Sequence, residues 1–395
     1  MAQDPTPIRE HVGIAIDGGG IKGVIVARAL IALEEMLGVE RLIDSPKVKV
    51  IAGTSTGSLL AFGIAAGMSA RELVALYEGL GERVFSKGGP IRPFGKSIPL
   101  LSRLHFPASA IRFMRRLPFS GGDFVLYPLL PARYSFDPLR EILCELIAAR
   151  VPDDLPNNNP TLRQLGDHLR EKAGSPTVII TAVDTASRET HFLKTNESER
   201  YYYMPVVDAV LASSSIPTYW EPIPLKDQNG KTIGQLVDGG VGNFGNPAFV
   251  VAWEMCSAAN DDPRRHYDPQ DVTLFSFGTG TLSAQTFRKV HGNARNWWAL
   301  QWASRALDLF MGSALREQSR SVVQTFAGID LRRFQVEFDQ AIGADRFDLV
   351  DTVLKQKGEE MQARVRQNVH ALQSDPAKRY DPEGIWLNFL KEFQK

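Results

Sequence analysis

The sequence predicts an α/β fold whose sheet has at least some parallel strands. Three observations lead there. Strand-length apolar runs alternate with longer helix-like runs through the first hundred residues. Glycine or aspartate stands at the C-terminal end of the strand-like runs, where open α/β sheets place their sites. No internal repeat or low-complexity tract points to another architecture.

In chain order, Val12–Ile16 reads as a buried strand, Val24–Leu37 as a helix, Val48–Ala52 as a second strand and Ser58–Gly67 as a second helix. Further β-rich runs are Thr177–Val183, Gln235–Val237 and Val272–Phe277, followed by Asp184, Asp238 and Gly278. Asp153–Pro160 reads as a turn-rich connector and Lys226–Lys231 as a hairpin or loop. From Leu331 the composition turns charged and helix-favouring. Val350, Leu354, Met361, Val365, Val369 and Leu372 fall on roughly helical spacing, which predicts a helical C-terminal region over 331–395, packed on the main 8–330 domain.

Residues 86–133 interrupt the alternation. They hold seven prolines, and eight basic residues stand against Asp123 alone. At about 100° per residue, Arg112, Arg115 and Arg116 share one helical face, opposite Ile111, Phe113, Met114 and Leu117. The stretch is expected to be a basic cap or insertion outside the sheet, carrying a short amphipathic helix.

The balance of 45 basic and 45 acidic residues gives no reason to expect a nucleic-acid partner. Two cysteines, Cys144 and Cys256, build neither a disulfide framework nor a structural zinc site, and they suit a reducing, cytoplasmic setting. Met1–Glu10 has no apolar run of signal-peptide type, and no apolar stretch reaches the roughly 20 residues a membrane span needs. The expected location is therefore cytoplasmic, with any membrane met at its inner surface.

Two glycine clusters could carry chemistry. Asp17-Gly18-Gly19-Gly20-Ile21-Lys22-Gly23 follows a predicted strand and opens a helix. Gly18, Gly20 and Gly23 satisfy the dinucleotide-binding spacing, which would make the protein an oxidoreductase. Against this, the next strand ends in Gly53 rather than in the carboxylate that holds a ribose. Backbone N–H groups at a helix N-terminus can instead hold a developing oxyanion. The second cluster, Gly53-Thr54-Ser55-Thr56-Gly57, is G-x-S-x-G between a strand and a helix, the setting of a nucleophile elbow.

A nucleophilic serine needs a base. None of the seven histidines lies in a glycine-bounded strand-end motif. Asp238, followed by Gly239 and Gly240, does lie at a strand end. A carboxylate can serve as base if it is partly desolvated; the competing reading of Asp-Gly-Gly is a β-turn.

The set of motifs resembles the patatin-like phospholipases. Asp17–Gly23 is similar to that family's glycine-rich oxyanion motif, including a basic residue at Lys22. Gly53–Gly57 is similar to its elbow, and Asp238-Gly239-Gly240 to its aspartate motif. Ala212–Pro217, Asn246-Pro247 and Ser276–Gly280 are similar to family segments in the same order. The resemblance implies a three-layer sandwich, with a central, mostly parallel sheet flanked by helices, and a Ser55–Asp238 dyad. It also implies backbone donors from Gly18, Gly19 and Gly20, and no metal or cofactor.

It further implies hydrolysis of acyl esters, with membrane phospholipids as the expected partner and Arg112, Arg115 and Arg116 as candidate membrane-facing residues. Trp297, Trp298 and Trp302 read as core or as acyl-chain contacts. Residues beyond Gly280 could brace the fold, form a homo-oligomer interface or regulate access to Ser55. Some bacterial family members are antiviral effectors, silent until a cyclic nucleotide binds, so a cyclic dinucleotide activator is an expected partner, although no motif marks its site. The competing class is a non-catalytic lipid-binding protein of the same fold.

Overall fold

The computed structural model describes residues 7–84, 134–150, 159–195, 201–217, 219–259, 266–282, 284–297 and 299–371. The predicted insertion at 86–133, with Arg112, Arg115 and Arg116, lies outside these residues, as do Asp153, Trp298 and Leu372.

The strands β1 (His11–Ile16), β2 (Val48–Thr54), β3 (Thr177–Asp184), β4 (Thr190–Lys194), β5 (Ile223–Lys226), β6 (Thr232–Asp238), β7 (Val272–Phe277) and β9 (Asp330–Phe334) form one sheet. Its order is β5-β6-β3-β2-β1-β7-β9, with β4 paired to β3. The β3-β2-β1-β7-β9 run is parallel, and β4, β5 and β6 make the antiparallel pairings. A short pair, β8 (Thr281–Leu282) with β10 (Glu337–Phe338), stands apart from it.

Side chains alternate across this sheet, so each strand feeds two cores. Val12, Ile14, Ile16, Ile51, Phe275 and Phe277 belong to one buried cluster, and Ala15, Val50, Ala52, Val272 and Leu274 to the other. The first is covered by α1 (Gly23–Leu37), α2 (Thr56–Ala65), α3 (Ala70–Val84), α4 (Asp137–Arg150), α5 (Leu162–Arg170) and α6 (Val206–Ser213). The second is covered by α7 (Ala248–Cys256) and the C-terminal end of a long helix containing Val322. Helix α2 is apolar all round and buried along its whole length, as a helix enclosed by neighbours must be. This is the three-layer arrangement that the resemblance implies, built on the parallel strands that the alternation of runs predicts.

One expectation is corrected. The chain from Leu331 does not open as a helix: Asp330–Phe334 is β9, in parallel register with β7 from Thr273↔Asp330 to Phe277↔Phe334. Two arginines disguise the strand, because every residue of it is buried. Arg332 donates to Asp330 Oδ2 at 2.6 and 2.9 Å and lies over the Phe275 ring. Arg333 pairs with Asp17. Helix follows only from Phe347, as a 3-10 turn at Phe347–Leu349 and a π-turn at Val350–Leu354 that lead into the α-helix Lys355–Ala371, and Met361 and Val365 join the first core with Val350 and Leu354. Gly358 brings that helix against α1, since a Cβ there would sit 2.5 Å from Arg28 Cδ.

Candidate active site

Adjacent parallel strands end at one edge of the sheet, and the two glycine clusters are the turns that leave β1 and β2. Ser55 is the turn residue after β2, at φ 55°, ψ −123°. A non-glycine residue at positive φ costs roughly 1–3 kcal/mol and persists only where its surroundings enforce it. Gly53 and Gly57 supply part of that enforcement. A Cβ on Gly53 would lie 2.0 Å from the Gly57 carbonyl oxygen, and one on Gly57 would lie 2.2 Å from that of Ile16. Ser58 Oγ donates to the Ser55 carbonyl at 2.6 Å. On either side, Thr54 Oγ1 donates to the Phe244 carbonyl at 2.6 Å, and the Thr56 hydroxyl bonds Tyr77.

Asp238 ends β6, opposite Ala182 of β3, while Thr54 faces Thr181 of the same strand. One shared strand thus sets the Ser55 and Asp238 turns at the same level. The turn Ser213–Ser215 ties them further. The Ser55 amide donates to Ser213 Oγ at 2.9 Å, and the Asp238 amide to the Ser215 carbonyl at 3.1 Å.

The Asp238 carboxyl is 3% exposed. Oδ1 accepts from the Gly240 amide at 2.7 Å, whereas Oδ2 is buried and makes no hydrogen bond. Burial, opposed by the nearby Ser55 hydroxyl and by that amide, pushes its pKa up to about 7. The hydroxyl is therefore close enough to be felt electrostatically, though its hydrogen bond to Oδ2 is not closed; such bonds commonly tighten when substrate enters. Glu34 offers a contrast. Burial raises it to about 7 as well, but it accepts the Ala70 amide near the far end of α1, and no hydroxyl is among the groups that shift it. A shifted carboxylate marks a site only in company.

The loop after β1 brings its glycines to Ser55. A Cβ on Gly18 would meet Ser55 Cβ at 3.1 Å, and one on Gly19 would overlap Thr279. Gly20 has φ +60° and lies against Ala344. One expected role is corrected. The Gly18 amide donates to the Gly245 carbonyl at 3.0 Å, because that loop crosses behind it, so it is not a free donor. The Ile21 amide is likewise taken, by the Ala344 carbonyl. The amides of Gly19 and Gly20 have no acceptor among the described residues. Lys22 ends the single 3-10 turn Gly20–Lys22 and is half-buried.

Asp17, which precedes these glycines, is held by Arg333. The guanidinium makes two bonds to the carboxylate, at 2.5 and 2.7 Å, and a third to Ser276 Oγ at 2.8 Å. Both side chains are almost fully buried. Asn246 Oδ1 accepts from Ser276 Oγ and the Ala248 amide, and its Nδ2 donates to the Leu315 carbonyl and Ser319. Thr279 Oγ1 closes the support by donating to the Gly18 carbonyl at 2.6 Å. The roles of Ser213, Ser215, Thr279 and Asn246 were not assigned from sequence, although their segments resembled family segments. Arg333 gave no signal at all. Among the histidines, His11 stacks on Tyr267 and His191 bonds Tyr201, so both have other partners.

A buried carboxylate and a strained serine, with the glycine loop after β1 against that serine, thus gather at one edge of the α/β sheet. The family follows from the sequence itself: the profile described as Patatin-like phospholipase matches residues 14–251, and the protein belongs to that family. Among its relatives, a cGAMP-activated phospholipase of Pseudomonas aeruginosa is 30% identical over 238 residues, 60% of this chain and 55% of that protein. One of the same name from Vibrio cholerae is 28% identical over 276 residues, 67% of this chain and 63% of that protein. Patatin-15 of Solanum tuberosum is 26% identical over 310 residues, 73% of this chain and 65% of that protein. The chain thus spans 55–65% of the length of these relatives. Among solved structures, VipD from Legionella pneumophila matches 91% of this chain and 67% of its own at 14% identity, with a TM-score of 0.44. No helix among the described residues is long and apolar enough to cross a membrane.

Proposed function

We propose that this protein is a serine acyl hydrolase that cleaves fatty acyl esters of membrane phospholipids, with Ser55 as nucleophile and Asp238 as its base. The observation that carries this reading is the half-satisfied Asp238 carboxyl beside the Ser55 hydroxyl. A base buried to a pKa of about 7 is matched to proton transfer near neutral pH.

Ser55 Oγ attacks the ester carbonyl carbon as its proton passes to Asp238 Oδ2. The carbonyl oxygen takes the negative charge, and the Gly19 and Gly20 amides stabilise it. The intermediate collapses, the lysophospholipid alkoxide leaves with the proton from Asp238, and the acyl group stays on Ser55. Water then enters, gives a proton to Asp238 and attacks the acyl-enzyme. Fatty acid leaves and the proton returns to Ser55.

The name cGAMP-activated phospholipase, carried by relatives in three bacteria, supports control of this activity by a cyclic dinucleotide. Arg112, Arg115 and Arg116 would give the 86–133 insertion a contact with anionic lipid. The test is fatty acid release from mixed phospholipid vesicles by wild type and Ser55→Ala, with and without a panel of cyclic dinucleotides. Release that needs both Ser55 and a nucleotide is the expected result. Release without a nucleotide removes the gate. Silence throughout, from folded protein, argues against phospholipid as substrate.

A further inference from the structure

Between Asp271 and Asp308 the chain carries no acidic residue, in a protein whose acids and bases balance at 45 each. Arg288, Lys289, Arg295 and Arg305 give that stretch four positive charges. It contains α8 (Ala284–His291), a 3-10 turn at Ala294–Asn296 and the first part of α9 (Ala299–Thr325). Arg288, Lys289 and Arg295 are exposed, and their side chains make no ion pair among the described residues.

The same unit exposes apolar surface. Val290, Trp302 and Leu309 are 45%, 44% and 42% exposed, three of the six large apolar side chains exposed among the described residues. Trp302 and Leu309 are seven residues apart and so share one face of α9. Trp302 packs edge-on to Trp297 at 4.9 Å, and the Arg305 guanidinium covers the Trp297 ring at 4.6 Å. The aromatic part of the face is therefore a fixed block.

Its placement relates it to the site. Strand β7 delivers the chain to Thr279, which bonds the Gly18 carbonyl, and α8 begins five residues later. Further along α9, Gln318 donates to the Asn243 carbonyl, and Asn246 donates to that of Leu315, both in the loop after Asp238. The cationic, apolar unit is thus anchored at both ends to the edge of the sheet that holds Ser55.

We propose that the α8–α9 face docks on an anionic lipid surface and brings the Ser55 edge to it. Such a surface offers negative charge over an apolar interior, which suits exposed lysine and arginine in the same packed stretch as exposed tryptophan and leucine. A nucleic acid would engage the cations and leave Trp302 and Leu309 in water. A second copy, in a two-fold interface, would set the cations against themselves. Docking itself is independent of the hydrolase reading; only its consequence for turnover rests on that reading.

Binding is measured in the Ser55→Ala background, so that lipid is not consumed. The probe is cosedimentation with phosphatidylcholine vesicles, with and without phosphatidylglycerol. Replacing Arg288, Lys289 and Arg295 together by glutamine is expected to lower partitioning onto anionic vesicles about tenfold or more, and to flatten its salt dependence. Trp302→Ala with Leu309→Ala is expected to lower it by about tenfold on the same vesicles. Circular dichroism melts check that the variants fold. Unchanged partitioning in both variants overturns the proposal, as does the absence of anionic-vesicle binding by the parent protein. A loss of binding that tracks a change in sedimentation mass assigns the face to copies of the chain instead. With Ser55 intact, turnover of a soluble short-chain ester should not change in the triple variant. Failure of every protein on that ester would reject the hydrolase reading and leave the vesicle result to decide the docking.

Discussion

The turns after β2 and after β1 leave neighbouring parallel strands, and each opens a helix, yet they are braced differently. The β2 turn is held largely by its own neighbourhood: Gly53 and Gly57 around it, Ser58 three residues on and Tyr77 on the next helix, with Ser213 as a distant support. The β1 turn is held from far along the chain. Thr279 lies 261 residues beyond Gly18, Arg333 lies 316 beyond Asp17, and Ala344 closes on Gly20. A nucleophile can be presented by a strained local motif. The pair of backbone donors proposed for the β1 turn cannot, because glycines that leave room for an oxyanion also leave the loop free to move unless something else fixes it.

The largest effect belongs to the carboxyl beside the β2 turn. Asp238→Asn should lower ester turnover by about 10²–10⁴-fold. In the wild type, kcat/KM on a soluble ester should rise with pH through about 7, because the base works only when ionised. Stability runs the other way. The folded-state pKa is raised, so the stabilising contribution is complete below the unfolded value near 3.8 and is lost as pH rises through about 7. Thermal melts should therefore show Asp238→Asn gaining stability on wild type between pH 5 and pH 8, with the opposite trend counting against a buried, titrating carboxyl.

Next comes the distant brace. Arg333→Met strands the Asp17 charge and should destabilise the fold by about 3–5 kcal/mol in chemical denaturation. If the brace also sets the donors, kcat on a short-chain ester should fall at temperatures where the variant remains folded. An unchanged kcat would make Arg333 purely structural and erase the contrast between the turns.

Smaller again is Gly20→Ala, which places a side chain at φ +60° against Ala344. It should cost about 1–2 kcal/mol and lower kcat more than it raises KM. Smallest is Tyr77→Phe, on the locally braced turn. It removes the hydroxyl that pairs with Thr56 and should cost about 0.5–1.5 kcal/mol, with near-normal turnover. A larger catalytic loss in Tyr77→Phe than in Gly20→Ala would invert the comparison.

The same contrast explains what could be read from the chain. Strands β1, β2, β3 and β7 were legible because apolar residues run without interruption through a doubly covered sheet. The strained turn at Ser55 was legible because five residues between a strand and a helix carry its constraint. The strand end at Asp238 was legible too, but a strand end followed by two glycines also reads as a β-turn, and the family resemblance is what singles the aspartate out as a candidate. Strand β9 was not legible, since Arg332 and Arg333 are buried only by virtue of Asp330 and Asp17, and Asp17 is a partner that sequence spacing cannot supply. The Gly18 amide was misassigned for a related reason: its acceptor, Gly245, approaches from a different loop.

The most direct test of Ser55 as a nucleophile served by Asp238 is covalent labelling by a fluorophosphonate ester, followed by mass spectrometry across a pH series. A single adduct on the peptide carrying Ser55 is predicted, forming faster as pH rises through about 7 and greatly slowed in Asp238→Asn. An adduct on another residue, or a labelling rate indifferent to pH and to Asp238, would contradict the account.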